Sequence, residues 1–397
     1  MEKASKREFL VSHPWITFRL SLQTMPRQFW EHVGEARSKC RQLAYTPLKP
    51  AIAEQLHTLY LAKGVHATTA IEGNTLSEEQ VHEIVQGKLN LPPSQEYLQR
   101  ETENIANACT EIAGLIADGK FALSLGVVQE LNLMVLDGLE VDDHVVPGQF
   151  TEAQVGVARY RGAPPRDLEF LTQLLVEWLD SDDFRSASDR REDFLFAVLR
   201  AVVAHVYIAW IHPFGDGNGR TARLIEFCIL TEAGVPSPAA HLLSNHYNET
   251  RSAYYRHLDA SSRSGGDLAP FLSYALEGLV DQLQLQLDEV HTHILRISWE
   301  NYVHERFADR HGVTAWRQRE LVLALSDEGE PVPRARLRRL TPALAEAYAG
   351  KQTKTVTRDI NVLVELGLVE RSGPGLVRAR TELMLRFVPQ IHTPLVA

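Results

Sequence analysis

Hydrophobic side chains recur at helical spacing over most of the chain up to about residue 300. They return every three or four residues in a series of stretches, a period that places them on one face of an α-helix. Proline and glycine clusters at residues 91–94, 161–165 and 234–238 separate the stretches. The pattern predicts a mainly α protein, with helices from Pro50 to Ala62, Ser77 to Val85, Glu101 to Ile116, Leu168 to Leu179, Asp193 to Trp210 and Thr221 to Ala233.

The longest apolar run, Phe194 to Ile211, contains Arg200, His205 and Tyr207. It falls short of the roughly 20 uninterrupted apolar residues of a membrane span, so we expect a buried helix and no membrane contact. No apolar segment follows the charged residues 1–8, and we therefore expect no signal peptide. Three widely spaced cysteines predict neither disulfides nor a zinc site and favour a cytoplasmic protein.

One segment in the helical part lacks the helical period. Residues 151–160 contain the short piece Val155-Gly156-Val157, between a Pro-Gly pair at 147–148 and a Pro-Pro pair at 164–165. Turn formers on both sides of β-branched residues are typical of a small hairpin. We expect a short β-hairpin flap here, with a plain surface loop as the alternative.

A second pattern begins after a long helix predicted from Leu283 to Phe307. Three shorter helices precede two strands, at residues 368–371 and 376–379, around a turn at 372–375. Helices followed by a small hairpin are typical of a winged helix-turn-helix domain. The predicted helices run from Arg317 to Leu325, from Val332 to Leu340 with Pro333 in the first turn, and from Lys354 to Leu366 with Gly367 as C-cap.

The charge distribution also separates this segment from the rest. Residues 313–397 carry 13 Lys and Arg against 9 Asp and Glu, a net charge of +4, whereas the whole chain of 397 residues carries −10. A mildly basic segment on an acidic body indicates a separate module, which could bind DNA and could equally bind protein or form a homodimer face. The candidate contacts are Thr353, Lys354, Thr357 and Arg358, beside a basic stretch of Arg334, Arg336, Arg338 and Arg339 that is typical of a solvated face.

The richest chemistry lies in the nine residues from His212 to Arg220, HPFGDGNGR. A histidine can move a proton near neutral pH, and the carboxylate of Asp216 can hold a hard cation. Glycines let backbone N–H groups approach an anion, and the loop opens a helix whose N-terminus attracts negative charge. Arg220 and Arg223 are three residues apart and can reach one polyphosphate. The loop therefore predicts chemistry on a phosphate.

Other phosphate and metal loops do not fit this spacing. A Walker A loop needs a lysine that is missing here, and the chain has no HExxH motif. An EF-hand beginning at Asp216 would need glycine and glutamate where Thr221 and Phe227 stand. A turn built only from glycines is the remaining structural alternative.

The segment from His212 to Arg223 resembles the Fic motif HxFx[DE]GN[GK]RxxR at every defined position. The resemblance extends over roughly residues 60 to 280 and includes His205, Ser244 and Arg251. It implies a mainly helical Fic core that transfers a nucleoside monophosphate, usually AMP from ATP, to a hydroxyl of a protein, the enzyme itself included.

The resemblance also implies a role for each polar group of the site. His212 would take the proton from the target hydroxyl, and Asp216 would position Mg²⁺ on the phosphates. Arg223 would bind the terminal phosphate of ATP. The cradle of the other phosphates would consist of Gly215, Gly217, Asn218, Gly219 and Arg220, and the candidates near the purine are Asn248, Tyr254 and Tyr255.

A second motif, TTAIEGN from Thr68 to Asn74, resembles the inhibitory motif [ST]xxxE[GN] of the same family. In relatives with this motif before the core, the glutamate, here Glu72, pairs with the second arginine, here Arg223, and blocks the γ-phosphate. The alternatives are an ordinary helix C-terminus and a glutamate that orients water for removal of AMP. The flap would add the target segment as an extra strand, although Thr151 stands where the family often has arginine.

With this resemblance the chain divides into three parts. Residues 1–115 form a helical region with the inhibitory motif, residues 116–285 the catalytic core, and residues 286–397 a linker helix and the winged helix-turn-helix domain. The leading hypothesis is an autoinhibited protein adenylyltransferase. The rivals are the same enzyme with another nucleotide donor, an enzyme that removes AMP, and a DNA-binding regulator that only senses nucleotide, which would not need His212.

Overall fold

The computed structural model describes residues 7–23, 25–157, 160–185 and 194–385. The chain divides into two compact units, Met1–Leu287 and Asp288–Ala397. The predicted mainly α fold with a small antiparallel sheet is confirmed. The division into three parts stays a prediction.

The first unit is built almost entirely from helices. In chain order they are α1 (Phe9–Ser12), α2 (Arg27–Tyr45), α3 (Pro50–Ile71), α4 (Glu78–Val85), α5 (Glu96–Ala117), α6 (Leu125–Leu136), α7 (Leu168–Leu179), α8 (Phe194–Ile211), α9 (Asn218–Glu232), α10 (Ser237–Ala240), α11 (Leu242–Glu249), α12 (Arg251–Arg263) and α13 (Ala269–Arg306), which crosses the boundary between the units.

The apolar helix α8 lies in the core of this unit. In the part of the chain that the structure describes, it is the one helix long and apolar enough to cross a membrane, but 72% of it is buried inside the protein. This placement is that of a core helix, as expected from His205 and Tyr207 within it. The predicted start at Asp193 lies outside the described residues. Helices α8 and α9 pack against each other, so the loop between them is held at both ends.

Helix α3 is also part of the core, which matters because it ends beside the loop. Ala62 and Val65 are fully buried. Gly64 lies against His241, whose ring stacks on Phe227 with centroids 4.5 Å apart. The helix ends at Ile71, and the next residue is its C-cap. The end of α3 is therefore fixed by a closely packed body.

The hairpin predicted near residue 155 is present. Strand β1 (Gly156–Val157) pairs antiparallel with β2 (Tyr160–Arg161), with Gly156 opposite Arg161. The N-terminal segment contacts β2, since His13 Nε2 lies 2.9 Å from the Arg161 carbonyl oxygen. Buried Asp167 in turn accepts a hydrogen bond from the backbone N–H of Phe9 at 2.9 Å. Residues 1–6 lie outside the described part, so the expectation about a signal peptide stays untested.

The second unit has three further helices and a three-stranded sheet. The helices are α14 (Val313–Asp327), α15 (Pro342–Ala347) and α16 (Thr353–Glu365), and the strands are β3 (Val332–Pro333), β4 (Val369–Gly373) and β5 (Leu376–Ala379) in the order β3-β5-β4. Gly367 has the positive φ of 73° expected after a helix. That this unit works as a winged helix-turn-helix domain stays a prediction.

The predicted helix from Val332 to Leu340 is wrong. Val332 and Pro333 form an edge strand that pairs with β5, where a proline is tolerated because one side of the strand needs no N–H donor. The helix begins later, at Pro342, where Thr341 caps it by accepting from Leu344 N–H.

The basic stretch before α15 is partly structural. Arg338 donates to the carbonyl oxygens of Tyr348 and Lys351, each at 2.7 Å, and Arg336 pairs with Glu328 at 3.0 Å. Arg338 therefore supports the fold of the unit, whereas Arg336, whose side chain is 62% exposed, stays on the surface.

The packing of α3 gives a stability prediction. We expect Gly64→Ala to lower the free energy of unfolding by about 1–3 kcal/mol, because the added methyl group overlaps the buried ring of His241. Chemical denaturation measures the change. Gly34→Ala in exposed α2 is the matched control, since open space surrounds it and it should gain up to about 1 kcal/mol. Equal stability of the two variants would contradict the close packing of α3.

Candidate active site

Two buried asparagines set the shape of the loop between α8 and α9. Asn218 donates to the Phe214 carbonyl oxygen at 2.8 Å and accepts from the Phe214 N–H at 2.9 Å. Asn132 on α6 donates to the Asp216 carbonyl oxygen at 2.9 Å and accepts from Gly148 N–H at 3.0 Å. The loop is therefore rigid, because both of its halves are tied to buried amides.

The glycines allow this loop to pack closely against its surroundings. Gly217 has a φ of 76° and is the N-cap of α9. A Cβ at Gly215 would overlap Val145, and a Cβ at Gly217 would lie within 3.0 Å of Asn132. The first turn of a helix leaves N–H groups without intrahelical partners, and at α9 these groups begin at the loop. The start of α9 is therefore suited to an anion.

His212 stands at the end of α8 in a strained backbone conformation. Its φ is 55°, although its N–H still donates to the Ile208 carbonyl oxygen at 2.9 Å. Such conformations are rare outside glycine and cluster at functional sites. Burial lowers the pKa of His212 below its usual value, against a hydrogen bond with the Ala209 backbone and the charges of Glu72 and Asp216, which raise it. The neutral imidazole can accept a proton.

Glu72 and Arg223 form an ion pair at the start of α9. Glu72 Oε1 lies 2.5 Å from Arg223 NH2, and the side chain of Arg223 is 1% exposed against 32% for Glu72. The same NH2 donates to the Thr68 carbonyl oxygen at 2.9 Å. Burial alone would raise the pKa of Glu72, but Arg223, followed by Arg220 and His212, holds it below its usual value. The pair is therefore charged at neutral pH.

The carboxylate of Glu72 also lies against the backbone of α9. A Cβ on Gly219 would overlap Glu72 Oε1, so the carboxylate sits on the first turn of the helix, where an anion is favoured. A second arginine holds the end of α3, because Arg251 NH2 donates to the Ala70 carbonyl oxygen at 2.6 Å. Thr68 and Glu72, both singled out by the motif, are thus brought together on Arg223, Thr68 through its backbone.

Arg220, which the sequence predicts as a phosphate ligand, is paired with carboxylates of the protein in this structure. Its NH1 lies 2.6 Å from Glu101 Oε1 and its NH2 lies 3.1 Å from Asp216 Oδ1. The Arg220 and Glu101 side chains are each 4% exposed. Both amide atoms of Asn218 are likewise occupied by Phe214. The side chains of Arg220 and Asn218 therefore support the loop in this conformation, and their part in a phosphate cradle stays a prediction.

A cavity of about 1010 Å³ opens beside the loop, large enough for a nucleotide. Neither Arg220 nor Arg223 reaches its wall. The wall consists of Glu72, His144, Val155, Gly156, Tyr160, Ala209, Trp210, His212, Gly215, Asp216, Gly217, Asn218, Gly219, Tyr254, Tyr255, Leu258, Asp259, Ser262 and Arg263.

The aromatic candidates line this cavity, but one predicted neighbour does not. Tyr254 is buried and its hydroxyl lies 2.9 Å from His205 Nε2, while Tyr255 is exposed. Asn248 is not among the residues of the wall, and its amide oxygen accepts from Arg251 NH2 at 2.9 Å. That Asn248 lies near a bound purine stays a prediction.

The flap lines the cavity, although Thr151 stands where the Fic family often has an arginine. Val155 and Gly156 line the wall, and Val157 continues the strand. The N–H of Thr151 donates to the Pro213 carbonyl oxygen at 3.0 Å. The rings of Phe150 and Phe214 stack with centroids 5.6 Å apart. Backbone pairing and aromatic stacking thus anchor the flap to the loop.

Asp216 is suited to a cation that arrives with phosphates. It lines the cavity, and its side chain is 46% exposed. Among the described residues, no group of three or more His, Cys, Asp and Glu side chains is placed to hold a metal ion. One carboxylate completed by phosphates and water is the usual environment of Mg²⁺ at nucleotide sites. The donor set therefore fits a Mg²⁺–nucleotide complex.

Sequence reasoning missed several residues that shape the site. Glu101, Asn132 and Asn74 are all buried and bind the loop or its supports. The available signal was a polar residue between apolar ones, since Asn132 stands between Leu131 and Leu133 in the stretch LGVVQELNLMVL. A buried polar side chain needs a partner, but the sequence does not say which one.

Comparisons with known proteins agree on a family. Residues 122–230 match the model of the Fic/DOC family. "Protein adenylyltransferase fic-1" of Caenorhabditis briggsae is 29% identical over 255 residues, which cover 64% of this chain and 46% of that protein. "Protein adenylyltransferase Fic" of Nematostella vectensis is 26% identical over 258 residues, covering 64% and 54%. The chain thus spans about half the length of the curated relatives it matches.

Solved structures support the fold. A Fic family protein from Desulfovibrio desulfuricans G20 superposes with a TM-score of 0.56 at 22% identity, covering 91% of this chain and 98% of that one. Fic-1 from C. elegans gives a TM-score of 0.52 at 24% identity, covering 67% and 74%.

The charges around His212 give a prediction about its titration. We expect Glu72→Gln to lower the pKa of His212 further, because the negative charge of Glu72 raises it in the native protein. A proton NMR titration of the His212 ring, assigned with His212→Asn, measures the change. Glu79→Gln on exposed α4 is the control and should leave the titration unchanged. An unchanged or higher pKa in Glu72→Gln would contradict the electrostatic contact.

Proposed function

Residues 122–230 of this chain belong to the Fic/DOC family, and on that premise we propose that the protein is an adenylyltransferase that moves AMP from ATP to a hydroxyl of a target protein. The observation that carries the proposal is the convergence of His212, Asp216 and the start of α9 on one nucleotide-sized cavity. The names of the relatives, which are protein adenylyltransferases, support it.

In the proposed reaction the target hydroxyl oxygen attacks the α-phosphorus of ATP. His212 accepts the hydroxyl proton as the new P–O bond forms, and the bond from the α-phosphorus to the bridging oxygen breaks to release pyrophosphate. Mg²⁺ bound through Asp216 would neutralise charge on the phosphates. Such transfers depend mainly on positioning and electrostatic stabilisation. The rigid loop supplies the positioning, because buried amides hold both of its halves.

The contacts of the loop revise how phosphates would be held. Asn218 and Gly219 line the cavity at the start of α9, while the Gly217 N–H donates to Asp216 Oδ1 and Arg220 is paired with Glu101 and Asp216. Arg223 lies behind Glu72 and would meet a terminal phosphate only after that carboxylate moves. The phosphate cradle is therefore mostly backbone, with Arg223 as the cation that completes it.

We further propose that Glu72 keeps the enzyme inhibited at rest. Its carboxylate occupies the positive region between Arg223 and α9 that a γ-phosphate would need. Breaking a fully buried ion pair from one side costs about 3–5 kcal/mol, and this pair costs less because the Glu72 side chain is 32% exposed. Inverting a 1:99 population takes about 5.5 kcal/mol, so the ion pair would supply part of the free energy that keeps most molecules inactive.

Removal of Glu72 tests both proposals together. We expect purified Glu72→Gly with Mg²⁺ and labelled ATP to give covalent self-labelling well above that of the native protein, because Arg223 and the start of α9 become accessible. Adding His212→Ala should lower the rate by about 10²–10⁴-fold, the usual contribution of a positioned base. Glu54→Gly, an exposed position near the start of the same helix, is the matched control and should stay at the native level.

Parallel reactions with UTP, GTP and CTP distinguish the rival donors. If only UTP gives label, the donor is UTP and the proposed transfer of AMP is wrong. Loss of AMP from a labelled protein that requires Glu72 would favour AMP removal. If Glu72→Gly incorporates none of the four nucleotides, the transferase proposal is wrong.

A further inference from the structure

Both arginines near the start of α9 face a carboxylate, but the two pairs differ in burial. The Glu72 side chain that faces Arg223 is 32% exposed, at the cavity wall. The Glu101 side chain that faces Arg220 is 4% exposed, away from that wall. A nucleotide in the cavity can therefore compete with Glu72, whereas the pair of Glu101 and Arg220 is shielded from the cavity.

Asn74 fixes the second oxygen of Glu101. Its Nδ2 donates to Glu101 Oε2 at 2.9 Å and to the Leu98 carbonyl oxygen at 3.0 Å, while its Oδ1 accepts from Leu76 N–H at 3.1 Å. Asn74 stands two residues after Glu72 in the sequence. One continuous set of contacts therefore joins the turn after the inhibitory glutamate to Glu101, then Arg220, then Asp216.

The charges in this set bear on the carboxylate of Asp216. Its Oδ1 accepts from Gly217 N–H at 2.5 Å and lies 3.1 Å from Arg220 NH2. A guanidinium at that distance competes with a divalent cation for the same carboxylate. Glu101, 2.6 Å from the other side of the guanidinium, offsets its charge and keeps it in place. Asp216 is thereby oriented by Arg220 without being neutralised by it.

We propose that Glu101 is a positioning residue that preserves the affinity of Asp216 for the Mg²⁺ of a bound nucleotide by balancing Arg220. The proposal rests on the nucleotide site proposed above. If Glu101 were needed only for folding, its removal would weaken nucleotide binding with and without Mg²⁺ alike. If Glu101 balances Arg220, its removal would reduce only the gain in affinity from Mg²⁺, because extra positive charge is left near the phosphates.

Isothermal titration calorimetry of ATP, with excess Mg²⁺ and with EDTA, separates these cases. We use full-length Glu72→Gly as the reference and add Glu101→Gln to it. We expect the ATP affinity with Mg²⁺, divided by the ATP affinity in EDTA, to fall about tenfold in the double variant, a factor that corresponds to about 1.4 kcal/mol. Binding in EDTA should be unchanged or tighter. Glu101→Asp, which keeps the charge, should restore part of the ratio.

Glu111→Gln makes the same exchange on the exposed face of α5 and should leave the ratio at the reference value. If thermal unfolding shows that Glu101→Gln is not folded, Asn74→Ala carries the test and should give a smaller fall in the same ratio. An unchanged ratio in a folded variant overturns this inference alone. A reference protein that does not bind ATP would instead overturn the proposed function.

Discussion

The first turn of α9 imposes the constraint that the site is built around. Its N–H groups lie beside two buried arginines, and so much positive potential out of bulk water needs a negative partner. In the structure, carboxylates meet that need. Glu101 pairs with Arg220 inside the core, and Glu72 pairs with Arg223 at the cavity wall. A bound nucleotide would satisfy the same potential with phosphates, so in the proposed function Glu72 and the nucleotide would compete for one electrostatic feature.

Much of this arrangement could be predicted from the sequence because its chemistry is written in contiguous residues. The loop from His212 to Arg223 contains the base, the carboxylate and the glycines in order. The motif ending in Glu72 is equally local, and the hairpin near Val155 follows from turn formers and β-branched residues. Helical periodicity sufficed for the first unit, where a buried stripe decides the structure.

The rest depends on partners that are distant in the chain. Glu101 and Arg220 are 119 residues apart, and Asn132 and Asp216 are 84 apart. No local pattern pairs them, so the sequence does not reveal that Arg220 pairs with Glu101 in the core. Val332 and Pro333 form a strand because β5 offers an edge, and tertiary pairing of this kind overrides local preference.

The burial of α3 also determines how the protein can open. Its middle residues Ala62, Gly64 and Val65 are buried, and its last carbonyl groups are held by Arg223 and Arg251. Helix α3 therefore cannot detach as a separate segment, because its release as a whole would unfold the first unit. In the proposed autoinhibition, Glu72 would leave Arg223 through a fraying of the last turn, of the kind that costs less than global unfolding. In terms of hydrogen exchange, the amides near residue 70 would exchange through local opening, while those near residue 63 would exchange only when the whole unit unfolds.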